Sequence, residues 1–422
     1  MPNVAGRYIG ASSARVLTAS LAGATVEFYD FYIYATAASL VFGAIFFPPT
    51  APAIQLLAAY GSFAVAFIAR PIGAIVFGHF GDRVGRKSTL VVSLLLMGGS
   101  TMAIGLLPTY AQVGWIAPVL LCLMRFGQGF GIGGEWAGAT LIALENAPVG
   151  FSARFSMVPQ LGAPLGFIAA NGIFLLLGFA LGPAQFQTWG WRVPFLASAL
   201  LVIIGLWARL KLSETPIFVA ALAAGPPPPV PIAEVARRYP GKAIAGTLSF
   251  VACYTLYYLA AAFAMGYGVT VLGYDRRTFL ALELGAIPFM AIGMVVSGMW
   301  ADRTNPRHML VVGCGLTFII AALFAPVLES RSIPLVWIFL SAAMLIMGIM
   351  GGPLGAWVPG LFPARVRYTG ASITAGIGGI LGGGIAPGLA QVLANHGGLP
   401  YVGGYLAGTA LISLVAIRSI KR

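Results

Sequence analysis

The protein has 422 residues, 59% of them hydrophobic and only 8% charged, with a mean hydropathy of +0.92. Water-soluble domains carry about 25% charged residues, so a soluble enzyme of this length is excluded. The formal net charge of +13 would point to nucleic acid in a soluble protein, but here its placement along the chain points elsewhere.

The apolar runs are long and continuous rather than short and alternating, which selects membrane helices over a barrel. In chain order the expected spans are 16–46, 55–79, 88–107, 113–144, 154–181, 190–210, 241–271, 278–300, 309–327, 334–358, 370–394 and 399–417. Each is long enough to cross a hydrocarbon core of about 20 helical residues. The fold class expected is an all-α membrane protein with twelve transmembrane helices in two pseudo-symmetric six-helix bundles. Residues 1–210 form the first bundle and 241–422 the second, with a cytoplasmic linker over 211–240 that contains Pro226 to Pro229 and Pro231. Cys122, Cys253 and Cys314 lie inside apolar stretches and read as buried thiols.

Eighteen of the 24 lysines and arginines collect on one side of these spans, from Arg7 and Arg15 through Arg83, Arg86, Lys87 and Arg154 to Arg418, Lys421 and Arg422. Arg192, Arg276, Arg277 and Arg331 fall on the other side, while Arg70 and Arg125 lie within the bilayer. Under the positive-inside rule both termini are cytoplasmic, and the positive charge is a topology signal.

The halves also echo each other. Gly81-Asp82-Arg83 follows the second span and Ala301-Asp302-Arg303 the eighth, an offset of 220 residues. Pro148 with Arg154 has a looser echo in Pro363 with Arg365 and Arg367. Duplicated halves around a midplane cavity are a transporter architecture.

Ionisable side chains in the bilayer cost about 2.5–3.5 kcal/mol each, so they must face protein or water. Glu27, Asp30, Arg70, Arg125, Glu135 and Glu283 fall on spans one, two, four and eight. Spans three, six, nine and twelve lack deep charge and read as peripheral. Glu27 and Asp30 are about 60° and 4.5 Å apart along one helix. Close carboxylates in a low dielectric resist ionising together, so one of them can change protonation and couple a proton. The alternative is a static ion pair with Arg125. Arg125 can grip a carboxylate ligand bidentately, with Gln128 on a neighbouring face, or hold a span-one carboxylate in its charged form. Arg70 either snorkels to the interface or turns inward. Tyr254, Tyr257, Tyr258 and Trp357 offer polar tips on cavity-type spans and suit a small organic ligand.

Some motifs mislead. Gly129-Phe-Gly131-Ile-Gly133-Gly134 fits a dinucleotide pattern but lies inside a membrane span, where small residues serve close helix packing. His79, His308 and His396 have no ligand spacing, so no metal site is expected, and no catalytic constellation is present. The protein is read as a carrier and not an enzyme.

Gly78-His-Phe-Gly-Asp-Arg-Val-Gly-Arg-Lys87 and Arg125-Phe-Gly-Gln-Gly129 resemble motifs of the major facilitator superfamily. Glu27-Phe-Tyr-Asp-Phe31, Arg70-Pro71, Gly133-Gly-Glu-Trp-Ala-Gly-Ala139, Trp189-Gly-Trp-Arg-Val-Pro194, Glu214-Thr-Pro216 and Phe362-Pro-Ala-Arg-Val-Arg-Tyr-Thr-Gly-Ala-Ser372 resemble its metabolite:proton symporter family. The resemblance implies proton-driven uptake by alternating access across a bacterial inner membrane. Its members carry shikimate, α-ketoglutarate, citrate and other organic acids, or proline and betaine. Two departures stand out: Asp302-Arg-Thr-Asn-Pro-Arg307 lacks the usual Gly-Arg-Arg, and Gly360 replaces a common glutamate.

The resulting expectation is proton-coupled symport of a small organic acid, by a monomer with no cofactor beyond the proton gradient and no nucleic-acid partner. Asp30, Glu27, Arg125 and Glu135 are expected to carry proton coupling. Arg125, Gln128, Tyr29, Tyr34, Gln160, Tyr254, Tyr257, Tyr258 and Trp357 are the expected substrate ligands. Asp82, Arg83, Arg86, Asp302 and Arg303 are expected to form the cytoplasmic gate. The alternatives are a proton-coupled carrier of a zwitterionic osmolyte such as betaine or proline, caged by Tyr29, Tyr32, Tyr34 and Tyr257, or an organic-anion exchanger.

Overall fold

In the computed structural model, residues 11–50, 52–211, 223, 225 and 231–420 are described. Arg7, Lys421, Arg422, the Glu214-Thr-Pro216 motif and the Pro226 to Pro229 run lie outside them. Helices cover nearly all of the described residues, and no strand occurs among them. Eleven helices are long and apolar enough to cross a membrane, or twelve when the bent pair Ala14–Ala37 and Leu40–Phe46 counts as one span. The chain is thus a multi-pass membrane protein.

The spanning helices are labelled α1 to α12. Helix α1 runs over Ala11–Ala37, widens through a π-type turn at Ala38–Phe42 and ends with Gly43–Phe46. Helices α2 (Pro52–Arg83), α3 (Arg86–Leu106) and α4 (Ile116–Glu145) follow. Helix α5 comprises Ser152–Met157, a 3-10 turn at Pro159–Leu161 and Gly162–Ala180, and α6 is Arg192–Leu210. A short amphipathic helix, Pro231–Arg238, precedes α7, which runs over Pro240–Tyr258, a π-type turn at Leu259–Phe263 and Ala264–Thr270. Helices α8 (Arg276–Arg303), α9 (Pro306–Glu329) and α10 (Ile333–Trp357) come next. Helix α11 comprises Arg367–Gly379, a π-type turn at Ile380–Gly384 and Ala386–Gly397, and α12 is Leu399–Ser419.

Local chemistry sets these ends. Asp275 accepts a hydrogen bond from Thr278 N at 2.9 Å to cap α8, and Asn305 does the same for Arg307 N at 2.9 Å to cap α9, just before Pro306. Gly85 (φ 130°) lets the chain reverse between α2 and α3, and Gly398 (φ 73°) does so between α11 and α12. Ile68, Val119, Leu176, Phe179, Ile203 and Leu411 stay exposed on the helix surfaces, which suits lipid rather than water.

Two seams repeat with the same geometry. A Cβ added at Gly73 of α2 would fall on the Phe130 carbonyl of α4, and one at Gly133 would fall on the Arg70 carbonyl. In the second half, a Cβ at Gly293 of α8 would fall on the Leu345 carbonyl of α10, and one at Gly348 on the Met290 carbonyl. These glycines let backbones touch, and they identify the α2–α4 and α8–α10 pairs as counterparts. By the same correspondence Met290 is the counterpart of Arg70. The π-type turns of α1 and α7 also correspond, each breaking its helix in the part distant from the arginine-rich end.

The peripheral reading of spans three, six, nine and twelve needs one correction. Arg209, at the end of α6, is buried and turns inward rather than into the basic loops.

Gly293→Val should destabilise the protein by about 1–3 kcal/mol through overpacking, because its neighbour is backbone and cannot yield. Gly315→Val, where nothing lies within 4 Å, should be neutral. Thermal unfolding of the two variants in one detergent checks the contrast.

Candidate functional site

A cavity lies between the two sets of helices. Its wall includes Glu27, Phe28, Phe31 and Tyr32 from α1, Arg70 from α2, Ile132 and Trp136 from α4, and Gln160 and Ala163 from α5. The other half adds Phe250, Cys253, Tyr254, Tyr257 and Tyr258 from α7, Met290 and Met294 from α8, and Met347, Gly351 and Leu354 from α10.

One ion pair stands in this wall. Arg70 Nη2 lies 3.8 Å from Glu27 Oε1, a distance that leaves charge attraction without a tight hydrogen bond. Arg70 is about 20 Å along its helix from Arg83, beyond the reach of a snorkelling side chain. The pair is flanked by amide and phenol groups. Trp136 Nε1 donates to Gln160 Oε1 at 3.0 Å, and Gln160 Nε2 donates to Thr140 Oγ1 at 3.2 Å. Tyr257 donates its hydroxyl to that of Tyr32 at 2.8 Å, joining α7 to α1 across the halves.

Asp30 belongs to a different environment. Ser198 and Thr101 donate to its two carboxylate oxygens at 2.6 and 2.8 Å, inside the seam of α1, α3 and α6. Gln128 Nε2 donates to Thr101 Oγ1 at 2.7 Å, and Arg125 Nη1 donates to Gln128 Oε1 at 2.9 Å. Arg125 therefore reaches Asp30 through two intervening side chains, with its guanidinium 4.0 Å from the Tyr34 ring centroid. Glu135 is paired with the buried Arg209 and accepts from Ser93 Oγ at 2.5 Å, while Arg209 Nη1 donates to Leu90 O at 2.7 Å.

At the arginine-rich end the halves are bonded together. Asp82 accepts from the backbone N–H groups of Tyr368 (3.2 Å) and Thr369 (2.9 Å) and from Thr369 Oγ1 (2.8 Å), so a side chain of α2 caps α11. Asp302 does the equivalent for α5, accepting from Ala153 N at 2.7 Å and Arg154 N at 3.2 Å. Glu145 joins Arg86 and Arg367, each at 3.3 Å. Tyr368 donates to Gly134 O at 2.7 Å.

The comparisons with known proteins agree with this architecture. The model of the Major Facilitator Superfamily matches residues 20–387. The chain belongs to that superfamily. It is 47% identical to the inner membrane metabolite transport protein YhjE of Escherichia coli K12, over 96% of this chain and 93% of the relative. It is 35% identical to the shikimate transporter of the same organism (96% and 94% covered) and 30% identical to its proline/betaine transporter (96% and 83%). Among solved structures, the proton:xylose symporter XylE bound to 6-bromo-6-deoxy-D-glucose shares the fold, with a TM-score of 0.78 at 15% identity over 97% of this chain and 95% of the other. Membership makes the protein a transporter rather than an enzyme.

Within this superfamily fold, the residues singled out from sequence separate into three groups. Glu27, Gln160, Tyr254, Tyr257 and Tyr258 meet at the cavity. Asp30, Arg125, Gln128 and Tyr34 lie in the bundle interior, Tyr34 within 2.7 Å of Ser62 Oγ, and Tyr29 donates to Pro194 O at 2.9 Å. They do not line the cavity, so the four-tyrosine cage reduces to Tyr32 and Tyr257. Glu27 and Asp30 fail to form a shared acid pair because a 60° turn separates the cavity face from the bundle face. Glu135 is held structurally by Arg209, and Trp357 is buried outside the lining with no hydrogen-bond partner for its indole N–H among the described residues. Glu283 is likewise buried with Oε1 unpartnered there.

The third group is the expected gate. Asp82, Arg86 and Asp302 hold the arginine-rich end, whereas Arg83 and Arg303 are exposed, with Arg83 Nη1 3.1 Å from His79 Nε2. Despite its degenerate sequence, the loop at Asp302 keeps its cap. In the sequence Arg70 stands out less than Arg125, and Trp136, Phe250 and the methionines of the lining are not among the expected ligands. Distance from the arginine-rich end is the signal that would have raised Arg70, while the methionines carried none.

Asp82→Ala removes three hydrogen bonds from the start of α11, a loss worth about 1–2 kcal/mol at a helix cap. Amide exchange over 367–370 should accelerate about tenfold, as read by hydrogen–deuterium exchange mass spectrometry. Glu135→Ala should cost about 3–5 kcal/mol by leaving Arg209 buried without its partner, lowering the yield of folded protein.

Proposed function

We propose that the protein is a proton-coupled symporter of a small organic acid, working by alternating access. Residues 1–210 and 241–422 rock as two halves in a bacterial inner membrane, with both termini cytoplasmic and the 211–240 segment linking them. Support comes from the ion pair of Glu27 and Arg70 in an otherwise uncharged cavity wall. With Glu27 ionised the pair is neutral, and an added anion would leave a net negative charge in a poorly solvating site. With Glu27 protonated the site is positive, and a carboxylate docking on Arg70 restores neutrality. Proton and anion therefore favour each other's binding, which is the coupling that symport needs. Arg70 provides two N–H groups toward a carboxylate, and Glu27 competes for them when charged.

In this mechanism the arginine-rich end opens when the bonds of Asp82, Asp302 and Glu145 across the halves break. Asp30, Arg125 and Gln128 act as a buried polar brace between α1, α3, α4 and α6 that carries the rocking of α1 to its neighbours. The kinship with metabolite, shikimate and proline/betaine transporters supports a small metabolite as cargo. A second reading follows from the same charge arithmetic. A zwitterion, with its cation beside Glu27, Phe28, Phe31 and Tyr32 and its carboxylate on Arg70, enters without a proton.

Reconstitution in liposomes loaded with a pH dye separates the readings. An inward proton gradient should drive accumulation of organic acids with lumenal acidification, and apparent affinity should fall up to tenfold per pH unit as rising pH deprotonates Glu27. Glu27→Gln should abolish gradient-driven accumulation and remove the pH dependence while keeping acid exchange within about threefold. Arg70→Ala should weaken acid binding about 100-fold, the scale of losing one partner of a buried charge pair. Flux of betaine or proline without proton movement would install the zwitterion reading, and pH-dependent acid symport in Glu27→Gln would remove Glu27 from the mechanism.

A further inference from the structure

Both charges of the cavity wall come from the first half, whereas in the second half α7 offers tyrosines and the α8 and α10 surfaces are soft. Met290 occupies the position in α8 that corresponds to Arg70 in α2. Three more sulfur side chains converge nearby. A Cβ built at Gly351 would lie 3.4 Å from Met294 Cε and 3.9 Å from both Cys253 Sγ and Met347 Cε. The contribution of α8 and α10 to the wall is Met290, Met294, Met347, Gly351 and Leu354, and none of these side chains has an N–H or O–H donor. The polar groups of the rest of the wall are partly committed: both ends of the Gln160 amide are used, and Tyr257 is bonded to Tyr32. Tyr254 and Arg70 both border Gly379, where a built Cβ would lie 3.8 Å from the Tyr254 ring and 3.9 Å from Arg70 Nη1.

From this asymmetry we infer that the transported acid has an apolar ring or hydrocarbon body, and that polyhydroxylated acids are rejected. The inference rests on the assignment of Arg70 as the carboxylate ligand. With its carboxylate at Arg70 and Tyr254, the body of the substrate projects against thioethers. Methionine sulfur is polarizable and flexible, so it packs well on aromatic and aliphatic surfaces. It is only a weak acceptor and no donor, so each hydroxyl turned toward α8 and α10 exchanges strong bonds to water for weak ones. The substrate class is therefore an amphipathic monocarboxylate, with specificity set by the sulfur wall and binding set by the ion pair.

Two acids with one carbon skeleton test this. Cyclohex-1-ene-1-carboxylate and its trihydroxylated form, shikimate, differ only in three hydroxyls. Calorimetric titration of the purified full-length protein at one acidic pH should show the unhydroxylated acid binding at least about tenfold more tightly. Benzoate and hexanoate should follow it, and quinate should follow shikimate. Met290→Gln and Met347→Gln, which exchange a thioether for an amide of similar length, should narrow the preference at least threefold. Shikimate binding as tightly as its unhydroxylated analogue, with affinity lost in Arg70→Ala, would overturn the apolar-body inference and leave the Arg70 assignment standing. Binding unaffected by Arg70→Ala, or no binding by any acid of the panel, would overturn the Arg70 assignment and the inference together. The comparison within the native protein does not depend on any variant folding.

Discussion

Charge inside a bilayer has two acceptable destinations, another buried charge or a water-filled space, and this protein uses both. Glu135 is satisfied by Arg209, Ser93 and the fold around them, a closed arrangement that welds α3, α4 and α6. Glu27 and Arg70 instead face each other at 3.8 Å in the cavity wall, close enough to neutralise and too far to saturate each other's hydrogen bonds. Both pairs meet the desolvation cost of a membrane interior. Only the second retains bonding capacity for something that enters from outside. The difference between the structural pair and the pair proposed to bind substrate is here one of residual valence, not of charge.

The two halves share backbone packing and diverge in side-chain chemistry. Glycines at corresponding places in the α2–α4 and α8–α10 seams hold the helices at one distance, so both halves offer equivalent surfaces to the cavity. On that common frame, one half places Arg70 and the other Met290. The same pseudo-symmetry governs the arginine-rich end, where Asp82 caps α11 and Asp302 caps α5, each aspartate reaching across to the opposite half. These caps satisfy the exposed N–H groups of a helix start only while the halves are together. Closure of this end is therefore built from bonds that separation of the halves must break, in two matched sets.

Much of this was legible in the chain. Hydropathy located every span, and the cluster of arginines marked one end. The Asp82 and Asp302 echo announced both the repeat and the paired caps across the halves, since a carboxylate next to a helix start has a specific partner in backbone N–H. Positions inside the spans were less readable. Residues three apart, such as Glu27 and Asp30, are neighbours on a helix, yet one helix borders a cavity on one side and a bundle on the other. Arg125 and Asp30 looked like direct partners and are separated by Gln128 and Thr101.

The sequence by itself determined the membrane class, the number of spans and the duplicated plan, because these follow from local composition and periodicity. Only the tertiary structure decided which buried charges meet each other. That choice depends on the rotation of each helix about its axis, which glycine contacts between distant segments fix and no single segment encodes. It moved Arg209 inward, turned Arg70 toward Glu27, and gathered Cys253, Met294 and Met347, spread over nearly a hundred residues of chain, around Gly351.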